Sequence, residues 1–213
     1  MVHGFLVYYS DVYLWELCNL ILKIMHFIEA IIYYLIGNLL ILIHRYDRNI
    51  CSTKYFSGVF SEGWSWIFHD WHGCLVNGSN SNVPWPVSSQ NKVAGWQNIH
   101  FYPEDLYNFQ GKGCYFQAVG KISIGKGTYI ANNVGIITAN HDINDPRKHV
   151  KAEPVTIGEA CWIGMNSIIL PGVELGPHTT VGAGSVVTRS YPDGYCVIAG
   201  NPAHLIKKIP IEK

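Results

Sequence analysis

The sequence predicts a parallel β-helix, a solenoid of short strands, and three observations carry that prediction. Six aliphatic residues stand at a strict six-residue interval: Ile157, Ile163, Ile169, Leu175, Val181 and Val187. Small or β-branched residues lie two positions before each, at Val155, Cys161, Ser167, Val173, Thr179 and Ser185, and glycine follows at Gly158, Gly164, Gly176 and Gly182. The same frame occurs earlier, at Ile124, Ile130 and Ile136. A helix repeats every ~3.6 residues and a strand every two, so a sustained period of six fits neither; it calls for short strands separated by turns, each sending one aliphatic inward.

At 213 residues the chain has room for one substantial domain and an appendage. Fifteen basic residues balance fifteen acidic ones, which argues against a nucleic-acid protein working through bulk charge. The cysteines (Cys18, Cys51, Cys74, Cys114, Cys161, Cys196) form no C-x-x-C pair and no Cys/His cluster. They read as reduced thiols, Cys161 as a small core residue, and no metal site is expected.

Residues 1–46 form an apolar helical segment. The run from Val12 to Ile43 is rich in Leu, Ile and Tyr and contains no proline and no glycine before Gly37. Polar residues at Glu16, Asn19, Lys23, His26 and Glu29 keep the three-to-four spacing of one helix face. From Ala30 to Ile43 only Asn38 interrupts an apolar stretch of 14 residues, short of the ~20 that cross a bilayer. Three readings stay open: a helical hairpin packed on the domain or a neighbouring subunit, an interfacial membrane helix, and a true span. The start lacks a basic n-region and no small-residue cleavage site follows, so a cleaved signal peptide is not expected.

Residues 47–110 are an aromatic-rich region, with Trp64, Trp66, Trp71, Trp85 and Trp96. Asn77 to Asn82 is a polar loop, and Pro84 and Pro86 force extended backbone around Trp85. The indoles either line a sugar-binding surface or cover the open end of the solenoid.

Residues 111–200 are the solenoid itself, and 201–213 close it. Three six-residue steps make a coil of 18 residues, so 157–192 give two coils and 122–139 one. Ile136 and Ile157 are 21 residues apart, three hexads plus three residues, and the frame breaks between them at Ala139-Asn140-His141-Asp142-Ile143-Asn144-Asp145-Pro146. Insertions leave a solenoid as loops, often on its functional face. The ends also need covers, which the N-terminal region and the segment after Val187 can supply.

These residues resemble the hexapeptide-repeat acyltransferases over about 111–208, and within them the sugar and polysaccharide O-acetyltransferases. The matching pieces are Ile136-Ile-Thr-Ala-Asn-His141-Asp, Val155-Thr-Ile-Gly-Glu-Ala-Cys-Trp162-Ile-Gly164, Ile169-Leu-Pro-Gly-Val-Glu-Leu-Gly176, Val181-Gly-Ala-Gly-Ser-Val-Val-Thr188 and Ala199-Gly-Asn-Pro202. The resemblance implies an all-β core in the form of a left-handed parallel β-helix, and acetyl-CoA as co-substrate. It also implies a homotrimer with each site between adjacent prisms. Histidine suits a general base near neutral pH, and His141 falls where the family carries its catalytic histidine. A backbone carbonyl, Asp142 or Glu153 orients its ring; the sequence leaves the three open. The resemblance gives Met165, after Trp162-Ile163-Gly164, a main-chain N–H for the oxyanion. It puts Trp162 beside the reacting centre, and Gln117 and Asn140 at the acceptor. Coenzyme contacts fall on Gly164, Gly182 and Ala183, and on Thr188, Arg189, His204 and Lys207 at the nucleotide end. His204 stands where relatives carry arginine. Gly111-Lys112-Gly113 and Gly125-Lys126-Gly127 lack P-loop spacing and read as turns.

The expected function is therefore acetyl transfer to a sugar hydroxyl of a surface polysaccharide or its precursor, in the cytoplasm or at the inner face of the cytoplasmic membrane. Peripheral membrane association would come from residues 1–46. One alternative is an N-acetyltransferase acting on an amino sugar or small amine. Another is a non-catalytic β-helix scaffold. A carbonic-anhydrase-like zinc site fits poorly, because His141, His149 and His178 lack the local pairing it needs.

Overall fold

The computed structural model describes residues 2–210, with side chains from Trp15 onward. Residue 1 and residues 211–213, the extremes of the first and last predicted segments, lie outside the described residues. Two helices come first, α1 (Val2–Leu42) and α2 (Glu62–Asn77). The strands follow: β1 (Lys92–Ala94), β2 (Ile99–His100), β3 (Tyr115–Gln117), β4 (Ile122–Ile124), β5 (Tyr129–Ile130), β6 (Gly135–Ile137) and β7 (Val155–Ile157). Then come β8 (Trp162–Ile163), β9 (Ile168–Ile169), β10 (Glu174–Leu175), β11 (Thr179–Val181), β12 (Val186–Val187), β13 (Cys196–Ala199) and β14 (His204–Lys208).

The strands form three sheets. Sheet I is β1-β3-β6-β9-β12, sheet II is β2-β4-β7-β10, and sheet III is β5-β8-β11-β13-β14. The chain visits them in the repeating order I, II, III, and every ladder is parallel except β13–β14. The six-residue period is the reason, since each hexad contributes one short strand and one corner.

Inward aliphatics stack in columns down the prism: Ile124–Ile157–Leu175, Ile130–Ile163–Val181–Ile198 and Phe116–Ile136–Ile169–Val187. All are buried, as are Cys161, Ser167, Val173, Thr179 and Ser185 between them. The buried hydroxyls bond to corner carbonyls, Ser185 Oγ to Gly182 O at 2.6 Å and Thr179 Oγ1 to Gly176 O at 2.7 Å. Glycine is required where corners stack: a Cβ on Gly158 would meet Gly176 C at 2.6 Å. All cysteines are free, and all but Cys18 are buried.

Three expectations need correction. Parallel pairing begins at Lys92, before position 111, with Val93 and Ile99 as the first inward residues of sheets I and II. Secondly, the break is not three hexads plus three residues. Successive coils below it differ by 18 residues (Ile169 to Val187), whereas Ile136 pairs with Ile169 across 33, so the excursion adds 33 − 18 = 15 residues between β6 and β7. Finally, α1 is one uninterrupted helix rather than a hairpin. Gly37 does not break it, because that position packs flat against Trp64; a Cβ there would meet the indole at 2.6 Å.

The upper end of the prism is closed by asparagine amides and aromatic rings. Above β5, where sheet III has no further strand, a 3-10 turn at Pro103–Phe109 places Asn108 over the open edge. Its Nδ2 donates to Thr128 O (2.9 Å) and its Oδ1 accepts from Ile130 N (2.8 Å), imitating a strand's peptide. Asn80 does the same above β1, accepting from Val93 N and donating to Asn91 O, both at 2.9 Å. The buried Trp85 packs edge-on or tilted against Phe101 and Phe109, and Trp64 edge-on against Tyr34 and Phe56. These indoles are therefore end-cover rather than a sugar platform.

Candidate active site

The excursion between β6 and β7 leaves the prism at the corner joining sheets I and II. Its base is fastened: Thr138 Oγ1 donates to Gln117 O (2.5 Å), and Ala139 N donates to Gln117 Oε1 (3.0 Å). Beyond it the chain folds into a hairpin in which His141 faces His149 across an antiparallel bridge. Val150 N donates to Asn140 O (3.0 Å) and Asp142 N to Lys148 O (2.9 Å). Asp142 makes the turn, its Oδ1 accepting from Asn144 N (2.7 Å) and Asp145 N (3.2 Å). Arg147 pairs with Asp145 at 2.9 Å and, chiefly through that bond, holds its carboxyl below the usual range.

His141 is exposed, and its ring centroid lies 4.2 Å from that of His149. Among the described residues no group hydrogen-bonds the His141 ring. Asp142 is committed to its own turn, and Glu153 lies beside Gly172. The neighbour that limits the imidazole is His149, which the sequence reading took to lack a local partner; the hairpin pairs the two rings, while His178 lies elsewhere, against Tyr195. Gln117 contributes through the backbone leading to the loop, and Asn140 through the hairpin.

Trp162 stands on the outer face of sheet III between Tyr129 and Thr180, 56 % exposed. Met165, half exposed, turns the next corner, between sheets III and I. There Gly164 is tightly held: a Cβ on it would meet Val181 O at 2.6 Å and Ala183 N at 2.7 Å. Asn166 adopts φ 61°, and Met165 O accepts from Gly184 N (2.8 Å). Among the described residues no backbone carbonyl takes the Met165 N–H. Gly164, Met165, Gly182 and Ala183 are thus one column of turns.

Thr188 and Arg189 follow β12, at the I–II corner that carries the His141 loop higher up. Arg189 Nη2 lies 2.9 Å from His204 Nδ1, and its Nε donates to Tyr191 Oη at 3.0 Å. A guanidinium only donates, so Nδ1 accepts and Nε2 carries the ring proton. Tyr191 in turn donates to Ala203 O (3.0 Å), fixing the turn before β14. Lys207 lies on the exposed β14, opposite Val197. The structure therefore unites Arg189 with His204 and Gly164 with Ala183. It keeps His141 and Met165 on different corners. Tyr191, absent from the sequence reading, organises the Arg189 cluster. The burial that raises the Cys161 thiol also makes it unsuited to chemistry.

Residues 154–189 match the family model described as bacterial transferase hexapeptide (six repeats). The putative acetyltransferase YJL218W of Saccharomyces cerevisiae is 47% identical over 92 residues, 42% of this chain and 46% of that protein. The chain spans only about half the length of the curated relatives it matches. Among solved structures, a maltose O-acetyltransferase from Clostridium difficile 630 is 32% identical, covering 77% of this chain and 82% of that one, with a TM-score of 0.45. A galactoside acetyltransferase in complex with coenzyme A is 26% identical, covering 59% and 62%, with a TM-score of 0.50.

Proposed function

This chain belongs to the hexapeptide-repeat transferase family, and on that premise we propose that it is an acetyl-CoA-dependent O-acetyltransferase acting on a sugar hydroxyl of a surface polysaccharide or its precursor. The observation that carries the reading is the longest interruption of the coil, which presents the exposed His141 on a hairpin fastened to Gln117. The family also makes the coil left-handed. An imidazole there can take the hydroxyl proton as the oxygen attacks the thioester carbonyl. The carbonyl oxygen would gather charge against the Met165 N–H. Collapse breaks the C–S bond, and the imidazolium returns its proton to the coenzyme A thiolate.

His141 and Met165 stand on different corners of one prism, so one chain does not bring them to one carbonyl. A homotrimer would, with the I–II corner of one copy facing the III–I corner of the next. In that groove Trp162 would wall the acceptor, with Asn140 near it. The pantetheine would run along the turns at Gly164, Gly182 and Ala183, and the nucleotide phosphates would meet Thr188, Arg189, His204 and Lys207. Lys207 would act as a point charge and His204 as an Nε2 donor.

The test is transfer from acetyl-CoA to a panel of sugars and amino sugars, with wild type and His141→Ala compared. Loss of a general base costs about 10²–10⁴-fold. An alkali-labile product marks an ester, a stable one an amide. Full transfer by His141→Ala would remove the mechanism.

A further inference from the structure

Helix α1 carries a surface that the acetyltransferase reading does not use. Glu16, Asn19, Lys23 and His26 run along it at alternating steps of three and four. The same row continues through Ala30, Tyr33, Gly37 and Leu40, which turn toward α2. The polar row and the α2 contact therefore share one face. On the opposite face Leu17, Ile21, Ile24, Ile28, Leu35 and Leu42 are all about half exposed, and Leu20, Met25, Phe27, Ile32 and Leu39 flank them equally bare. Asn38, set among them, donates one amide N–H to Tyr34 O (2.8 Å), so part of its polarity is spent within the helix.

We propose that α1 lies in the plane of a lipid bilayer surface, its outer half seated in the acyl boundary and its polar row and α2 turned to water. Three features select this occupant. The bare apolar surface is too wide for one helical seam, since a second copy would cover the central row and leave its apolar flanks in water. Crossing the bilayer fits less well, because the second half of α1 packs on α2 (Tyr33 with Phe68, Tyr34 with Trp64) and on the turn before it (Phe27 with Phe60), and these would have to enter the membrane with it. From Trp15 onward the charged groups of the helix lie on or beside the domain side, with His26 and Glu29 next to Tyr33 and Phe60, and Asn38 is the one polar residue set among the apolar ones, as an interfacial helix tolerates. The exposed Arg48 and Lys54, just past the helix, supply cations for anionic headgroups. Trp15, 69 % exposed where the described side chains begin, suits the headgroup level.

The experiment is flotation of the full chain with vesicles of phosphatidylcholine containing one quarter phosphatidylglycerol. Wild type is expected to float, and to stay bound in high salt. Ile21→Asp/Ile28→Asp/Leu35→Asp should lower the bound-to-free ratio by about 100-fold or more. Asn19→Asp/His26→Asp, on the water-facing row, should change it less than about three-fold. Circular dichroism of both variants keeps misfolding apart from lost binding. Cys18, the one exposed cysteine among the described residues, provides an independent readout. A fluorophore there should shift to the blue on vesicles, and dithionite added outside should bleach it. Protection from dithionite, or equal loss of binding in both variants, would overturn the in-plane placement. A wild type that stays unbound, and whose mass falls when the apolar row is charged, would assign α1 to a contact between copies and overturn lipid as the occupant.

Discussion

The sharpest physical test of this fold is the removal of Asn108. Its side chain replaces a strand over the open edge of sheet III, with both bonds buried. In Asn108→Leu the volume is nearly kept and the amide is lost. Ile130 N–H then has no acceptor, which costs about 1–3 kcal/mol. Thr128 O fares better, because Tyr107 Oη also donates to it at 2.8 Å; that side loses only a shared bond, worth about 0.5–1.5 kcal/mol. The variant should therefore lose about 2–4 kcal/mol. Tyr107→Phe alone should lose only about 1 kcal/mol, since Asn108 still serves Thr128. In the double variant Thr128 O is orphaned for the first time, so the loss should exceed the sum of the singles by about 1 kcal/mol. Urea unfolding of all four proteins, at one concentration so that any association is held fixed, measures the cycle. Strict additivity, or a loss below about 0.5 kcal/mol for Asn108→Leu, would refute amide capping of the coil.

Two further outcomes follow. Burial raises the Asp70 carboxyl from 3.8 to about 7, against weaker lowering by the Gln110 hydrogen bond and by Arg45, and its Oδ2 has no partner. An acid raised on folding binds its proton more tightly in the native state, so its contribution is full below about 4 and is lost as pH climbs toward 7. The difference is about 4 kcal/mol at most. Asp70→Asn should thus match wild type near pH 4 and exceed it at pH 8, and parallel unfolding curves across that window would show the site to be wrongly read. Separately, Arg189→Gln should raise KM for acetyl-CoA about ten-fold and leave kcat unchanged, as expected for a phosphate contact made equally in ground and transition states. A fall in kcat at unchanged KM would place Arg189 elsewhere in the chemistry.

What could be read from the chain depended on how local its cause was. The columns through Ile157, Ile163 and Ile169 were legible because each hexad sets its own strand and its own inward residue. Val93 and Ile99 keep the same six-residue spacing, but they stand among aromatics that hid it. The amide caps were not legible at all: Asn80 and Asn108 become strand mimics only because the chain arrives over edges formed 13 and 22 residues later. His149 was read as unpaired for a related reason. Its place opposite His141 depends on hairpin register, set by the Asp142 turn. The run Asp142-Ile-Asn-Asp-Pro146 carries the Asx and proline signals of such a turn, and weighing them as a hairpin would have brought His149 forward.

The scaffold accepts this excursion because the loop never interrupts a column. Ile124 pairs with Ile157 and Ile136 with Ile169 across the inserted residues, just as Ile157 pairs with Leu175 and Ile169 with Val187 below them. The ladder loses no bond, and the added cost is loop closure, which grows only with the logarithm of length. A strand insertion would shift every later aliphatic out of its column, and each one-residue slip would turn buried side chains outward. Corners are therefore the only places where this chain can gain extra residues without losing its core. His141, Met165, Gly182 and Arg189 all stand at corners or directly beside them, for that reason.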